Sequence, residues 1–175
     1  RVHLIGLIVC LSLFGDLTLF AVLPTHFADA GLTLATIGIM LSIHRLVRVP
    51  GNPIAGMLMD RWGRKRFLVA GMVLAVLATT AYGLVEGFVP FLLARIAWGM
   101  AWMFINISGM ALIIDLSDGY QRGKFSGNYN TWVMIGLASG PLLGGFLVDL
   151  VGFQVTMRLG GLITFIGLLL AIFMV

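Results

Sequence analysis

Runs of apolar residues close to twenty long recur six times along the 175-residue chain. At 1.5 Å per residue, a helix of that length crosses a hydrocarbon layer of roughly 30 Å. Backbone groups in lipid find no water, so they must be satisfied inside their own segment; unbroken runs of this kind therefore form helices, and the short alternating strands of a membrane barrel do not fit the pattern. Spans are predicted near residues 4–23, 34–58, 67–86, 90–115, 127–148 and 156–175, with turn chemistry at Gly31, Glu86-Gly87 and Asp118-Gly119-Tyr120. Composition excludes a water-soluble globule: 60% of the residues are hydrophobic and 10% charged, against about 25% charged in an ordinary soluble domain.

The net charge of +4 and a pI near 9.8 would also suit a nucleic-acid binder, but the charges are not arranged as a basic face. Arg61, Arg64, Lys65, Arg66, Arg122 and Lys124 fall in two short loops on one side of the membrane, whereas the other side carries only Arg158. This positive-inside bias predicts a multi-pass protein of the cell's inner membrane, in contact with lipid, with its amino terminus in the cytoplasm. Cys10 stands alone inside an apolar run and reads as a small buried hydrophobe. No metal-ligand cluster, nucleophile and base pair, or phosphate-cradling loop is present, so neither enzyme, cofactor nor metal is expected. The last apolar run reaches Val175 without a tail, from which the chain is expected to be part of something longer.

The two halves share a pattern. Gly56-Met57-Leu58-Met59-Asp60-Arg61-Trp62-Gly63 recurs as Gly145-Phe146-Leu147-Val148-Asp149-Leu150-Val151-Gly152, and each copy follows a Pro-x-x-Gly, at Pro53 and at Pro141. The copies fall on opposite membrane faces, and only the first keeps a basic tail. Two three-helix repeats of inverted topology, about 1–88 and 89–175, would produce this, an arrangement common in secondary transporters.

The segment Gly56 to Leu68, GMLMDRWGRKRFL, closely resembles the loop between the second and third helices of the major facilitator superfamily. Arg95-Ile96-Ala97-Trp98-Gly99 is similar to that family's fourth-helix RxxxG motif. The stretch from Gly136 to Gly145, with Gly140, Pro141 and Gly144 between, looks like the GxxxGPxxGG signature of its proton-coupled antiporters. The resemblance implies an all-α integral membrane fold, namely the amino-terminal six-helix bundle of a twelve-helix transporter whose carboxy-terminal six-helix half is missing. It further implies that Asp60 and Arg64 join a cytoplasmic charge network with an acid at the end of the fourth helix, where Asp115 is suitably placed. Gly56, Arg61, Gly63 and Lys65 complete that gate motif. Chemistry alone supports part of this: Gly56 and Gly63 allow a tight turn, and Asp60 near a helix end can pair with Arg64 or with a neighbouring helix end. Gly136, Gly140 and Gly144, four apart, form a small-residue face suited to close helix approach, and Pro141 is expected to kink or break the helix.

Charge inside the membrane costs about 2.5–3.5 kcal/mol per residue on the insertion scale. Asp16, Arg45, Arg48 and Arg95 therefore need a reason to be there. Arg45, Arg48 and Asn52 form an i, i+3, i+7 stripe on the second helix. Arg95, Trp98, Gly99, Trp102, Asn106 and Gly109 share a face of the fourth, too deep for the interfacial aromatic belt. Such a face suits a cavity that stacks and hydrogen-bonds a small organic substrate. Asp16 reads as the proton-coupling carboxylate or, more plainly, as a charge paired with an arginine. Arg95 is its electrostatic partner, since a guanidinium does not give up its proton. Three deep arginines against one acid tilt the substrate toward anions or zwitterions. His44 lies off the arginine stripe and reads as a satisfied or lipid-shielded histidine. The leading expectation is a proton-coupled exporter working by alternating access. A proton-coupled uptake symporter shares every feature but the fifth-helix signature, and a non-transporting receptor or scaffold on the same architecture is the rival from another class.

Overall fold

The computed structural model describes residues 1–117 and 119–175, without the side chain of Met174. The described residues form six long helices: α1 (Val2–His26), α2 (Leu34–Trp62), α3 (Arg64–Tyr82), α4 (Phe88–Asp115), α5 (Arg122–Val151) and α6 (Phe153–Met174). A 3₁₀ turn, Phe27–Ala30, follows α1. Five of the helices are long and apolar enough to cross a membrane. The remaining one, α2, has 29 residues, ample length at 1.5 Å each, but its Arg45, Arg48 and Asn52 dilute the apolar run. Predicted and observed spans overlap throughout. The largest difference is at the start of α5, which begins at Arg122 rather than at 127; α3 stops at Tyr82 rather than at 86, and the following Gly83 packs closely against the Gln154 carbonyl and the Arg158 backbone of α6. Of the predicted turn at 118–120, Gly119 and Tyr120 are turn residues and Asp118 lies outside the described residues.

Connections are short and glycine shapes them. Gly63 separates α2 from α3 at φ 86°, ψ 145°, and Gly152 separates α5 from α6 at φ 84°, ψ 165°. Each donates its N–H back to the carbonyl four residues earlier, Met59 and Val148, at 2.9 Å. A side chain rarely adopts this backbone conformation, so the last glycine of each GxLxDxxG copy has a stated steric reason. On the opposite face from Gly63, the Gly87 N–H bonds the Ala30 carbonyl at 2.9 Å and ties two loops together.

Packing follows a pattern that survives exchanging the first three helices with the last three. α1 lies along α5 and α4 along α2; α3 packs on α4 and α6 on α1; α3 and α6 pack on each other. α1 is the centre, with 72% of its most apolar window buried against 22% for α5. Ile5, Ile8, Leu13, Leu19 and Leu23 of α1 join Met72 and Ala75 of α3, Ile105 of α4 and Met157 of α6 in one core.

Small residues set the closest approaches. Gly136, Gly140 and Gly144 are all buried against α1 between Cys10 and Thr18. The Thr18 hydroxyl there is shared between the Phe14 carbonyl of its own helix at 2.8 Å and the Gly140 carbonyl at 2.9 Å. Helices without a hydrophobic drive toward one another depend on such backbone-to-backbone contact. Pro141 faces outward, and α5 runs unbroken past it. Its ring needs only the loss of one helical bond, which the flanking turns tolerate in a membrane helix.

A Cβ at Gly140 would lie 3.1 Å from the Phe14 carbonyl oxygen and 3.2 Å from the Thr18 nitrogen, both backbone atoms that cannot move aside, whereas one at Gly145 meets nothing within 4 Å. Gly140→Val should accordingly destabilise the protein by about 1–3 kcal/mol through overpacking, and Gly145→Val should stay within about 0.5 kcal/mol. Thermal unfolding in detergent checks this; equal losses for the two would refute the seam.

Candidate functional site

The centre of the bundle holds a buried ion pair. Arg95 of α4 is 0% exposed and Asp16 of α1 is 3% exposed, and the guanidinium NH1 donates to Asp16 Oδ1. Desolvating two charges costs several kcal/mol each, so such a pair persists only where the remaining donors find partners. Arg95 has them. Its Nε–H donates to the Met40 carbonyl of α2 at 2.8 Å, NH1 also reaches the Tyr82 hydroxyl of α3 at 3.3 Å, and NH2 meets His44 Nδ1 of α2 at 2.7 Å. A guanidinium has no acceptor, so His44 Nδ1 accepts and the imidazole is neutral with its proton on Nε2. The Tyr82 ring lies 5.8 Å from the guanidinium carbon and stacks on Phe91.

Beside this pair opens a cavity of about 250 Å³. α1 contributes Leu13, Asp16 and Leu17; α2 contributes His44, Arg45 and Arg48; Trp98 and Trp102 come from α4 and Leu137 from α5. Among the described residues, α3 and α6 contribute none to the wall. The indoles of Trp98 and Trp102 are parallel within 9°, with centroids 5.9 Å apart. His44 meets the edge of Trp98 at 6.1 Å, and the Arg45 guanidinium sits over the Phe20 ring at 5.5 Å. Trp98 is 2% exposed, yet among the described residues its Nε1–H has no acceptor, and neither has the buried Nε–H of Arg48.

The structure thus brings Asp16, Arg45, Arg48, Trp98 and Trp102 to one cavity, with Arg95 directly behind Asp16. Asn52 and Asn106 do not line it. Each sits one turn further along its helix, past Arg48 and Trp102 respectively, and both are exposed. His44, expected off the arginine stripe as a satisfied or lipid-shielded histidine, is a satisfied one that also lies on the cavity wall, because α4 presses its Gly99 against the His44 backbone and brings Arg95 within reach. Tyr82 and the Met40 carbonyl were missed. A tyrosine at the end of an apolar span was visible; a backbone carbonyl carries no sequence signal.

Where the short α2–α3 turn places the basic loop, Arg64 pairs with Asp115 at the end of α4 and donates to the Ala111 carbonyl at 3.2 Å. Asp60 is exposed and forms no ion pair among the described residues, because Gly63 turns the chain and sends Arg64 toward α4 instead. Gly63 directly precedes Arg64 in the turn, and Arg61 and Lys65 form no ion pair among the described residues. The side chains of Arg64 and Asp115 are 37% and 50% exposed, so the pair is worth at most about 1 kcal/mol.

The sequence model of the Major Facilitator Superfamily matches residues 5–175. The chain belongs to the major facilitator superfamily. Among its curated relatives in that superfamily, it is 27% identical to the quinolone resistance protein NorA of Staphylococcus aureus over 128 residues, 73% of this chain and 33% of the relative. It is also 27% identical to an uncharacterized MFS-type transporter of Methanocaldococcus jannaschii over 151 residues, 86% of this chain and 38% of the relative. The chain therefore spans little more than a third of the length of these relatives. Family membership, with long apolar helices throughout, makes it an integral, multi-pass membrane protein.

Removing one partner of a buried ion pair strands the other charge. Arg95→Gln is expected to cost about 3–5 kcal/mol, and adding Asp16→Asn to it should recover most of that loss. A double-mutant cycle on unfolding free energy in detergent measures the coupling; additive losses would show that the two side chains do not act as a pair.

Proposed function

We propose that this chain forms the amino-terminal half of a proton-coupled transporter that exports a small organic solute by alternating access. The observation that carries the proposal is the Asp16–Arg95 pair at the wall of a cavity shared by α1, α2, α4 and α5. A carboxylate buried there is the one acidic group among the lining residues, so a proton taken up from the cavity has one place to go. Arg95 holds the carboxylate in position and its own charge is permanent. His44, neutral and accepting from Arg95, steadies the guanidinium while Asp16 changes charge.

Three features support export and rocking. The Gly136–Gly140–Gly144 seam against α1 is the stretch that resembles the antiporter signature. The relative from Staphylococcus aureus is named for quinolone resistance, which removal of a drug from the cell confers. The Arg64–Asp115 contact is weak enough, at most about 1 kcal/mol, to form and break within a working cycle, as a cytoplasmic latch must. Two inverted three-helix repeats, 1–88 and 89–175, account for the packing that survives exchange of the halves and for the matched Gly63 and Gly152. On this reading the amino terminus and the Arg64–Arg66 loop face the cytoplasm across the cell's inner membrane.

One observation favours a second reading. Arg45 and Arg48 reach the cavity without a carboxylate partner among the described residues. A proton on Asp16 would raise the positive charge facing an anion, so proton and anion would bind together, as uptake by symport requires.

Flux of a fluorescent quinolone into inside-out vesicles carrying the full-length protein distinguishes these readings. With an acidic lumen, export predicts accumulation that collapses when the gradient is dissipated. Asp16→Asn should reduce that accumulation to background while the protein still folds and binds the quinolone. Unchanged gradient-driven flux in Asp16→Asn would remove Asp16 from the coupling role.

A further inference from the structure

We infer that the cavity contains an anion subsite, formed by the Nε–H of Arg48 and the Nε1–H of Trp98 with Arg45 beside them, that takes the carboxylate of a planar aromatic substrate. The inference rests on the transport reading but not on its direction. Buried N–H groups without an acceptor are rare and unfavourable, by about 1–3 kcal/mol each. Here two occur at one cavity, on neighbouring helices α2 and α4. Trp98 is 2% exposed, so bulk water does not serve its N–H, and the one carboxylate on the wall, Asp16, is already engaged through Oδ1 by Arg95.

Charge points the same way. The groups facing the site are Asp16 from α1 and His44, Arg45 and Arg48 from α2, while α4 and α5 offer Trp98, Trp102 and Leu137. With Asp16 offset by Arg95 and His44 neutral, the two arginines of α2 are left over. Guanidinium and indole N–H groups both donate and neither accepts, so the ligand atom that satisfies them must be an acceptor, and an anionic oxygen bonds most strongly to such donors. The rest of the ligand meets the partly exposed indole of Trp102, which the buried ring of Trp98 backs in parallel, and the side chains of Leu13, Leu17 and Leu137. Flat apolar surfaces of this kind favour an aromatic body stacked on them. A volume of about 250 Å³ accommodates two fused rings with a carboxylate.

The test uses the full-length protein purified in detergent and three probes of one shape: 2-naphthoate, 2-naphthamide and 2-naphthylmethylammonium. Calorimetric titration should find naphthoate bound at least about tenfold more tightly than the amide, and the ammonium weaker still, since a hydrogen bond to a charged group is worth about one decade or more. Trp98→Phe removes the N–H and keeps a ring; Arg48→Gln removes the charge. Each should weaken naphthoate about tenfold and the amide, whose neutral carbonyl accepts a weaker hydrogen bond, by clearly less. Unfolding midpoints equal to the parent protein's would show that the variants are folded. The subsite is overturned if the amide or the ammonium binds as tightly as naphthoate, if both variants weaken all three probes alike, or if none of the three binds. Selective naphthoate binding without gradient-driven movement of naphthoate in proteoliposomes would uphold the subsite and overturn the transport reading instead.

Discussion

The Asp16–Arg95 pair sets a demand that the surrounding helices are arranged to meet. Two charges removed from water are tolerated only if almost every remaining donor is satisfied, and the donors of Arg95 point in different directions. One reaches a carboxylate on α1, one a carbonyl on α2, one a phenol on α3 and one an imidazole on α2. The single arginine of α4 thereby fixes the separation and rotation of three neighbouring helices. Apolar packing in lipid supplies little of that specificity, because a leucine face is nearly as well solvated by acyl chains as by another helix.

Close approach is the second condition, and glycine provides it. Arg95 reaches Met40 and His44 because α4 presents Gly99 to the His44 backbone, where an added Cβ would lie 2.8 Å from the carbonyl oxygen. On the other side of α1, Gly140 and Gly144 perform the corresponding service against Leu17 and Thr18. Each contact brings one of the less buried helices, α2 or α5, against an inner one, α4 or α1. The cavity is what remains between them at the level where α2 carries arginines too large to close the gap.

Span number, helical character and the motif-bearing turns were legible in the sequence because they follow from run length and from glycine spacing, both local properties. The deep charges were legible as anomalies: four ionisable groups in apolar runs cost too much to be accidental. The pairing of Asp16 with Arg95 was legible as well, but the extent of the cavity beside it was not. Helical periodicity places Asn52 on the stripe of Arg48 but says nothing about where along the helix the cavity stops, and the structure ends it one turn earlier. The same periodicity set His44 aside, because an i, i+1 neighbour of Arg45 lies about 100° around the helix. Two adjacent positions can both face a cavity when it wraps around the helix toward α4, and no periodic argument contains that neighbour. The Asp60–Arg64 ion pair, one of the two contacts open to Asp60, is not formed for a related reason: Gly63 redirects the chain and Arg64 pairs with Asp115 instead.

The charges also constrain how a proton can be coupled to a solute. Protonating Asp16 removes the only negative charge on the wall and leaves Arg45, Arg48 and Arg95 all positive, so any anion seated near them is held more tightly once the proton is on. Under the proposed coupling, proton and anion would then travel together. An exporter driven by inward proton movement needs the opposite sign, in which the solute and the proton exclude each other. That sign arises if the solute also carries a cationic group that reaches the second oxygen of Asp16, the one Arg95 leaves free, since a carboxylate cannot hold a proton and a cation at once. If the proposed coupling through Asp16 holds, a zwitterion with its carboxylate on Arg48 and Trp98 and its cation on Asp16 would be exchanged for protons, whereas a simple anion in the same cavity would be carried with them. Under that proposal the direction of coupling would be decided less by the six-helix framework, which serves both, than by whether the solute's second charge reaches Asp16.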